Sequence, residues 1–213
     1  MRVMMVGVLM ALASPAAAQR VSELEAHEVA ISHVRYRGRS AVRVLANAGA
    51  ANGSSYAVIR GVNFHNGTIE MQVAGRPAAD AGEGARGFIG IAFRMADGRY
   101  DYMYLRPTNG RAADQVRRNH STQYSSHPAF DFARLRAESP EKYESYVDLE
   151  PGIWTAFRLV VDGTSAQLFV HDADQPTLVI NDLKLGDSEG GVALWVGPGT
   201  EGYFRNLRIR KKS

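Results

Sequence analysis

From about Val29 onward, apolar residues recur at every second position rather than every third or fourth. Ile69, Met71 and Val73 alternate with Glu70 and Gln72. Trp154, Ala156, Leu159 and Val161 lie in a run that breaks at Asp162-Gly163. A period of two marks strands with one face buried, and Asp-Gly between two such runs signals a hairpin. The same reading predicts a strand from Phe88 to Arg94, a turn at Ala96-Asp97-Gly98 and a returning strand from Tyr100 to Leu105. Further strands are expected at Ala166 to Val170, Thr177 to Ile180, Gly191 to Val196 and Gly202 to Ile209. Short strands punctuated by glycine and aspartate argue for an all-β sandwich or barrel, here a jelly-roll β-sandwich of two antiparallel sheets.

Two small-residue stretches interrupt the pattern, Ala46 to Ser55 and Ala74 to Arg86, and both are expected to be surface connections. Ser139-Pro140-Glu141 has the form of a helix start, with Ser139 as cap and Pro140 in the first position. No internal repeat is visible.

The N-terminus changes the picture of where the chain works. One positive charge at Arg2, an apolar run from Val3 to Ala13 and the small residues Ser14 to Ala18 read as a secretory leader cleaved after Ala18. That apolar run is shorter than the roughly 20 residues needed to span a bilayer. The expectation is a signal peptide at 1–18 and one β-sandwich domain at 19–213, periplasmic or extracellular, with no membrane span. The chain has no cysteine, so the core holds together without disulfides. The formal net charge of +3 is too mild to suggest a nucleic-acid partner, and the basic cluster Arg208, Arg210, Lys211 and Lys212 has the ordinary form of a solvated tail. The sequence carries no signal for an oligomeric state.

The strand-rich C-terminal half, with Trp154 opening a strand, the Asp162-Gly163 hairpin, a strand led by Gly191 and the ending Phe204-Arg205-Asn206-Leu207, resembles the concanavalin A-like lectin and glucanase superfamily. That superfamily includes laminin G-like domains and the 3-keto-disaccharide hydrolase group. The aromatic-rich segment from Gly87 to Pro107 fits its central pair of strands. The resemblance implies a lectin-like sandwich and a carbohydrate or sugar-derivative partner. One departure matters: the chain has no Glu-x-Asp-x-x-Glu strand of the laminarinase type, which speaks against that retaining mechanism.

The candidate chemistry gathers between Tyr100 and Tyr146, a stretch crowded with arginine, amide, histidine and tyrosine. Sugar recognition needs planar groups that bond adjacent hydroxyls, and flat rings for the C–H face of the sugar. Alternation puts Tyr100, Tyr102 and Tyr104 on one face with Arg106 continuing it, and leaves open whether that face lines a groove or the core. Asn109 to Tyr124 reads as a long loop above the sheet, supplying Asn109, Gln115, Arg117, Arg118, Asn119, Gln123 and Tyr124 as substrate-binding candidates. For acid–base chemistry the candidates are His120 with Asp114, Glu138 or Glu144 as carboxylate partner. No cofactor is predicted. A divalent metal would require His65, His120 and His127 to meet a carboxylate, and no two of these histidines have a recognised ligand spacing. No Gly-x-Ser-x-Gly elbow, phosphate loop or dinucleotide fingerprint is present. Three functions follow: a secreted carbohydrate-recognising domain, a glycoside-cleaving enzyme resembling the 3-keto-disaccharide hydrolases, and an envelope adhesion module.

Overall fold

The computed structural model describes residues 23–212, so the expected leader at 1–18 lies outside the described residues. Two seven-stranded antiparallel sheets face each other. The first runs in the order β1 (Leu24–His27), β4 (Tyr56–Ile59), β13 (Gly191–Val196), β6 (Ile89–Ala96), β7 (Arg99–Leu105), β8 (Thr122–His127) and β9 (Glu144–Ser145). The second runs β12 (Leu178–Ile180), β11 (Ser165–Val170), β10 (Thr155–Asp162), β5 (Gly67–Pro77), β14 (Thr200–Lys211), β3 (Arg39–Ala46) and β2 (Val29–Tyr36). Only two short α-helices are present among the described residues, α1 (Gln115–Asn119) and α2 (Phe132–Glu138), and neither is long enough to cross a membrane.

The alternation read from the sequence is what builds the sandwich. Ile69, Met71 and Val73 of β5 and Phe157, Leu159 and Val161 of β10 point inward together, paired directly as Phe157 with Met71 and Leu159 with Ile69. Ile89, Ile91, Met103 and Leu194 meet them from the first sheet in the same core. The hairpin at Asp162-Gly163 joins β10 to β11 as expected, with Asp162 opposite Ser165. The β6–β7 pair shifts register between Phe93 and Ala96. Arg94 sits in that irregularity, buried, and donates to the carbonyls of His65, Gly163 and Gly186. Backbone carbonyls thus solvate a guanidinium that water does not reach.

Two sequence expectations change here. The surface connection expected at Ala74 to Arg86 begins only after Pro77, because Ala74 to Pro77 extend β5. A side chain at Gly75 would lie 2.3 Å from the carbonyl of Gly87, so a small-residue segment can still be a strand where another backbone crosses it closely. The helix expected to start at Ser139 instead ends there. Asp131 caps α2 by accepting from the Arg134 amide at 2.8 Å, Ser139 closes the C-terminus and Pro140 follows the stop.

Candidate functional site

The outward face of the first sheet carries the chemistry. Pairing of β7 with β8 sets Tyr104 opposite Gln123, Tyr102 opposite Ser125 and Tyr100 opposite His127. Across β6, Gly90 lies opposite both Tyr104 and Trp195. Gly90 brings no side chain to this face, and the Trp195 ring meets Tyr104 at 4.8 Å and Tyr102 at 5.0 Å between ring centroids. A Cβ at Gly90 would fall 2.8 Å from that of Tyr104, so the two rings meet only because the intervening strand is bare there. The rings form a cluster separate from the inter-sheet core, so the face left open by alternation is the outer one.

That face is nonetheless closed. The Tyr100 hydroxyl donates to the Gly53 carbonyl, and the Tyr100 ring stacks on His127 at 4.9 Å. Gly53, at φ +86°, is so close that a Cβ would sit 2.7 Å from His127 Nδ1. The segment expected to be a plain surface connection at Ala46 to Ser55 therefore roofs one end of the tyrosine row. Tyr102 and Tyr104 keep only 2% and 3% of their surface exposed, and burial pushes both hydroxyls above their ordinary pKa. These two rings present no face to solvent.

Arg106 ties the end of this row to the sheet edge. It donates to Tyr104 Oη at 3.1 Å, Gln123 Oε1 at 3.0 Å and Glu144 Oε1 at 2.9 Å. Arg136, from α2, bonds both carboxylate oxygens of Glu144, one of them from Nε at 2.9 Å. Burial alone would raise the pKa of Glu144, but hydrogen bonds and charge from Arg136 and Arg106 outweigh it and hold the carboxyl below its usual range. His120 Nε2 lies 3.4 Å from Glu144 Oε2. Burial lowers the His120 pKa; Glu144 opposes that shift, while Arg136 and Arg106 add to it. The pair stands at a small cleft of about 210 Å³ bordered by Asn119, Glu141 and Tyr146. Its chemistry is that of a clamped anion beside a neutral imidazole. A carboxylate held by two guanidiniums is a weak proton acceptor and holds no proton to donate near neutral pH.

The remaining expected residues fall into two groups. Asp114 caps α1, accepting from the Arg117 amide at 2.6 Å, and makes no bond to His120, so it does not serve as that histidine's carboxylate partner. Arg117 donates to Asn109 Oδ1 at 3.0 Å, Asn109 donates to the His120 carbonyl at 2.9 Å, Arg118 donates to the Ala112 carbonyl and Gln115 bonds Asn119. This stretch is a 3-10 turn at Pro107–Asn109 and a helix knitted to each other, rather than an open loop. Gln123 and Tyr124 lie on β8, and strand parity sends them to opposite faces. Tyr124 points into the core, donates to Asp101 Oδ1 at 2.7 Å and is fully buried, so it cannot meet a ligand on the outer face. His65 pairs with Asp187 and His127 stacks on Tyr100, away from His120; among the described residues no three histidine, aspartate or glutamate side chains gather as a metal would need.

Beside the roofed row lies a cavity of about 400 Å³ between Phe88 and Phe132, closed by Asn52, Pro198 and the glycine-rich segment around Gly82 and Gly84. Phe88 meets Tyr104 edge-on at 6.0 Å, and Phe132 lies under both Arg106 and Arg136 at about 5.5 Å. Both phenylalanines are half-buried, so each keeps part of a ring available. None of Asn52, Phe88, Phe132 or Trp195 was among the sequence candidates. Phe132 directly follows Asp131, the N-cap of α2, and no spacing in the sequence marks it.

No protein-family model matches the chain, and no curated protein sequence matches it. Solved structures do. A carbohydrate-binding module from Bacillus subtilis superposes with a TM-score of 0.56 at 10% identity, over 87% of this chain and 97% of that one. A Bacillus subtilis protein with a galectin-like fold gives 0.56 at 10% identity over 90% of each chain. A Bacteroides ovatus mixed linkage glucan GH16 in complex with product gives 0.52 at 12% identity over 90% and 86%. What these structures share with this chain is the fold, a sandwich of two antiparallel β-sheets. At such identities the likeness reaches the fold, and the work of this particular protein has to be argued from its own residues.

Proposed function

We propose that the protein is a secreted, periplasmic or extracellular, carbohydrate-binding domain that seats a glycan or sugar derivative between Phe88 and Phe132. The observation that carries this reading is the cavity itself: two half-exposed phenyl rings flank about 400 Å³, and one of them, Phe88, rests edge-on against the buried Tyr104. Phenyl faces suit the C–H side of a sugar ring, and the Asn52 amide offers the donor and acceptor that adjacent hydroxyls require. Phe88 is backed by Tyr104, and Phe132 by Arg106 and Arg136, which lowers the ordering cost of binding. The fold is shared with a carbohydrate-binding module, which adds an analogy of the same sense.

Cleavage of the sugar is the second reading, and the 3.4 Å approach of His120 to Glu144 is what favours it. Against it stands the double arginine clamp on Glu144, which makes the carboxylate nearest His120 a poor proton acceptor. A glycan array followed by calorimetry on the best binder separates the two. Phe132→Ala and Phe88→Ala are each expected to weaken binding about tenfold or more, about 1.4 kcal/mol, while His120→Ala binds as the parent does. Undiminished affinity in both phenylalanine variants would place the sugar elsewhere. Release of product from the bound glycan or from 3-keto-disaccharides, lost in His120→Ala, would replace binding with catalysis.

A further inference from the structure

The second sheet is incomplete at one place. Strands β3 and β14 pair from Leu45 opposite Glu201 to Val42 opposite Phe204, and there the ladder stops. Beyond it, Arg39 to Ala41 pair only with β2, while β14 follows β5 through a register shift between Arg205 and Arg208. Asn206 occupies that shift at φ +55° and the strand bends. A cavity of about 290 Å³ opens where the two strands part. Its depth is apolar and belongs to the inter-sheet core: Val42, Leu194, Phe204 and Leu207 are all at most 9% exposed.

The mouth has the opposite character. Arg39 and Arg205 border it, with His33 alongside. Among the described residues no carboxylate forms a salt bridge with either arginine, whereas Arg43 and Arg76 in the same sheet share Glu201 at 2.5–2.8 Å. The Nε of Arg205 is buried and has no hydrogen-bond partner, and the guanidinium lies 5.7 Å from the Trp154 ring. Burial and the like charge of Arg39 hold Arg205 below its ordinary pKa, although a guanidinium remains a cation. Two cations at the rim of an apolar hole, one with a buried donor left over, form an arrangement that lacks an anion.

We infer that this opening between β3 and β14 is a binding site for a small amphipathic monoanion, whose apolar body enters the core beside Leu194 and Phe204 and whose carboxylate meets Arg39 and Arg205. The volume lies near the lower end of ligand pockets, so the body is a medium-length alkyl chain or a single aryl group rather than a long lipid. The site is on the second sheet, independent of the sugar cavity on the first.

Calorimetry with octanoate, 3-phenylpropionate, octan-1-ol and octylamine on the full chain tests it. At least one of the two carboxylates is expected to bind about tenfold or more tightly than the alcohol, with the amine weakest. Octanoate above 3-phenylpropionate assigns an acyl body, and the reverse order assigns an aryl one. Arg39→Gln combined with Arg205→Gln should remove the advantage of carboxylate over alcohol while the protein stays folded, because both side chains reach solvent. Leu194→Phe, which fills the floor, should block both carboxylates and the alcohol. Phe132→Ala should leave carboxylate binding unchanged, which keeps this outcome apart from that of the sugar cavity. Absence of binding by both carboxylates, equal binding of the amine, or full carboxylate affinity in the double arginine variant would overturn the inference.

Discussion

Each sheet turns outward one glutamate between two arginines beside a group of aromatic rings. On the first sheet Glu144 sits between Arg106 and Arg136 next to Tyr104, Tyr102 and Trp195. On the second, Glu201 sits between Arg43 and Arg76, with Tyr203 stacked on Tyr36 at 3.6 Å and Trp154 edge-on at 5.8 Å. Yet the first face is roofed by the Gly53 segment and flanked by α2, while over the second the Gly152 carbonyl reaches in, to accept from Tyr36. The same residue types thus make a rigid floor in one place and a surface ornament in the other. Connections between strands, not strand chemistry, decide which of the two aromatic faces is covered.

The largest expected effect tests how much more deeply the first aromatic face is buried than the second. Trp195 is 1% exposed and fills the space over Gly90, so Trp195→Ala should cost about 3–5 kcal/mol. Trp154, half-buried on the other face, should cost no more than about 1 kcal/mol when truncated. Denaturant melts of the two variants compare them directly, and equal losses would mean that the first face is no better enclosed than the second. Next come the two glutamates. Glu144→Gln leaves Arg106 buried and uncompensated, with an expected cost of about 3 kcal/mol. Glu201→Gln, between arginines that reach solvent, should cost about 1 kcal/mol. A larger loss at Glu201 would reverse the contrast.

Much of the sandwich was legible because its signals are local. The Asp162-Gly163 hairpin and the return at Asp97-Gly98 need only neighbouring residues, and alternation alone placed Tyr104 and Arg106 on one face, where they bond. What failed was whatever depends on residues far apart in the chain. Ser139-Pro140 fits a helix start and a helix stop equally well, and Asp131, eight positions earlier, decides between them. Tyr124 was grouped with Gln123 because both are polar and aromatic candidates, but the pairing of β8 with β7 sends it inward. The meeting of Trp195 with Tyr104 spans three strands and depends on a glycine in the middle one, which no spacing within the chain reveals. The roof over the tyrosines was invisible for the same reason: a run of small residues reads as a loop, and what it covers is set by the sheet below.

The smallest expected effect separates the two clusters by pH. Glu144 and Glu201 both have pKa values below the ordinary 4.5, so each contributes stability that is complete above that value and is lost as pH falls through the folded-state pKa. Only the first cluster adds a histidine. The folded-state pKa of His120 lies below 6.5, so the unfolded chain takes up a proton first and stability begins to fall as pH drops below 6.5, well before either glutamate responds. His127, lowered by burial on the same sheet, acts in the same direction. Thermal melts on the acid side of 6.5 should therefore show a decline that His120→Gln reduces in part, that His120→Gln with His127→Gln reduces further, and that Glu201→Gln leaves untouched. A decline of unchanged slope in the double histidine variant would mean that the imidazoles beside the roofed face are not held neutral. The enclosure that distinguishes this face from its counterpart would then be looser than the ring contacts indicate.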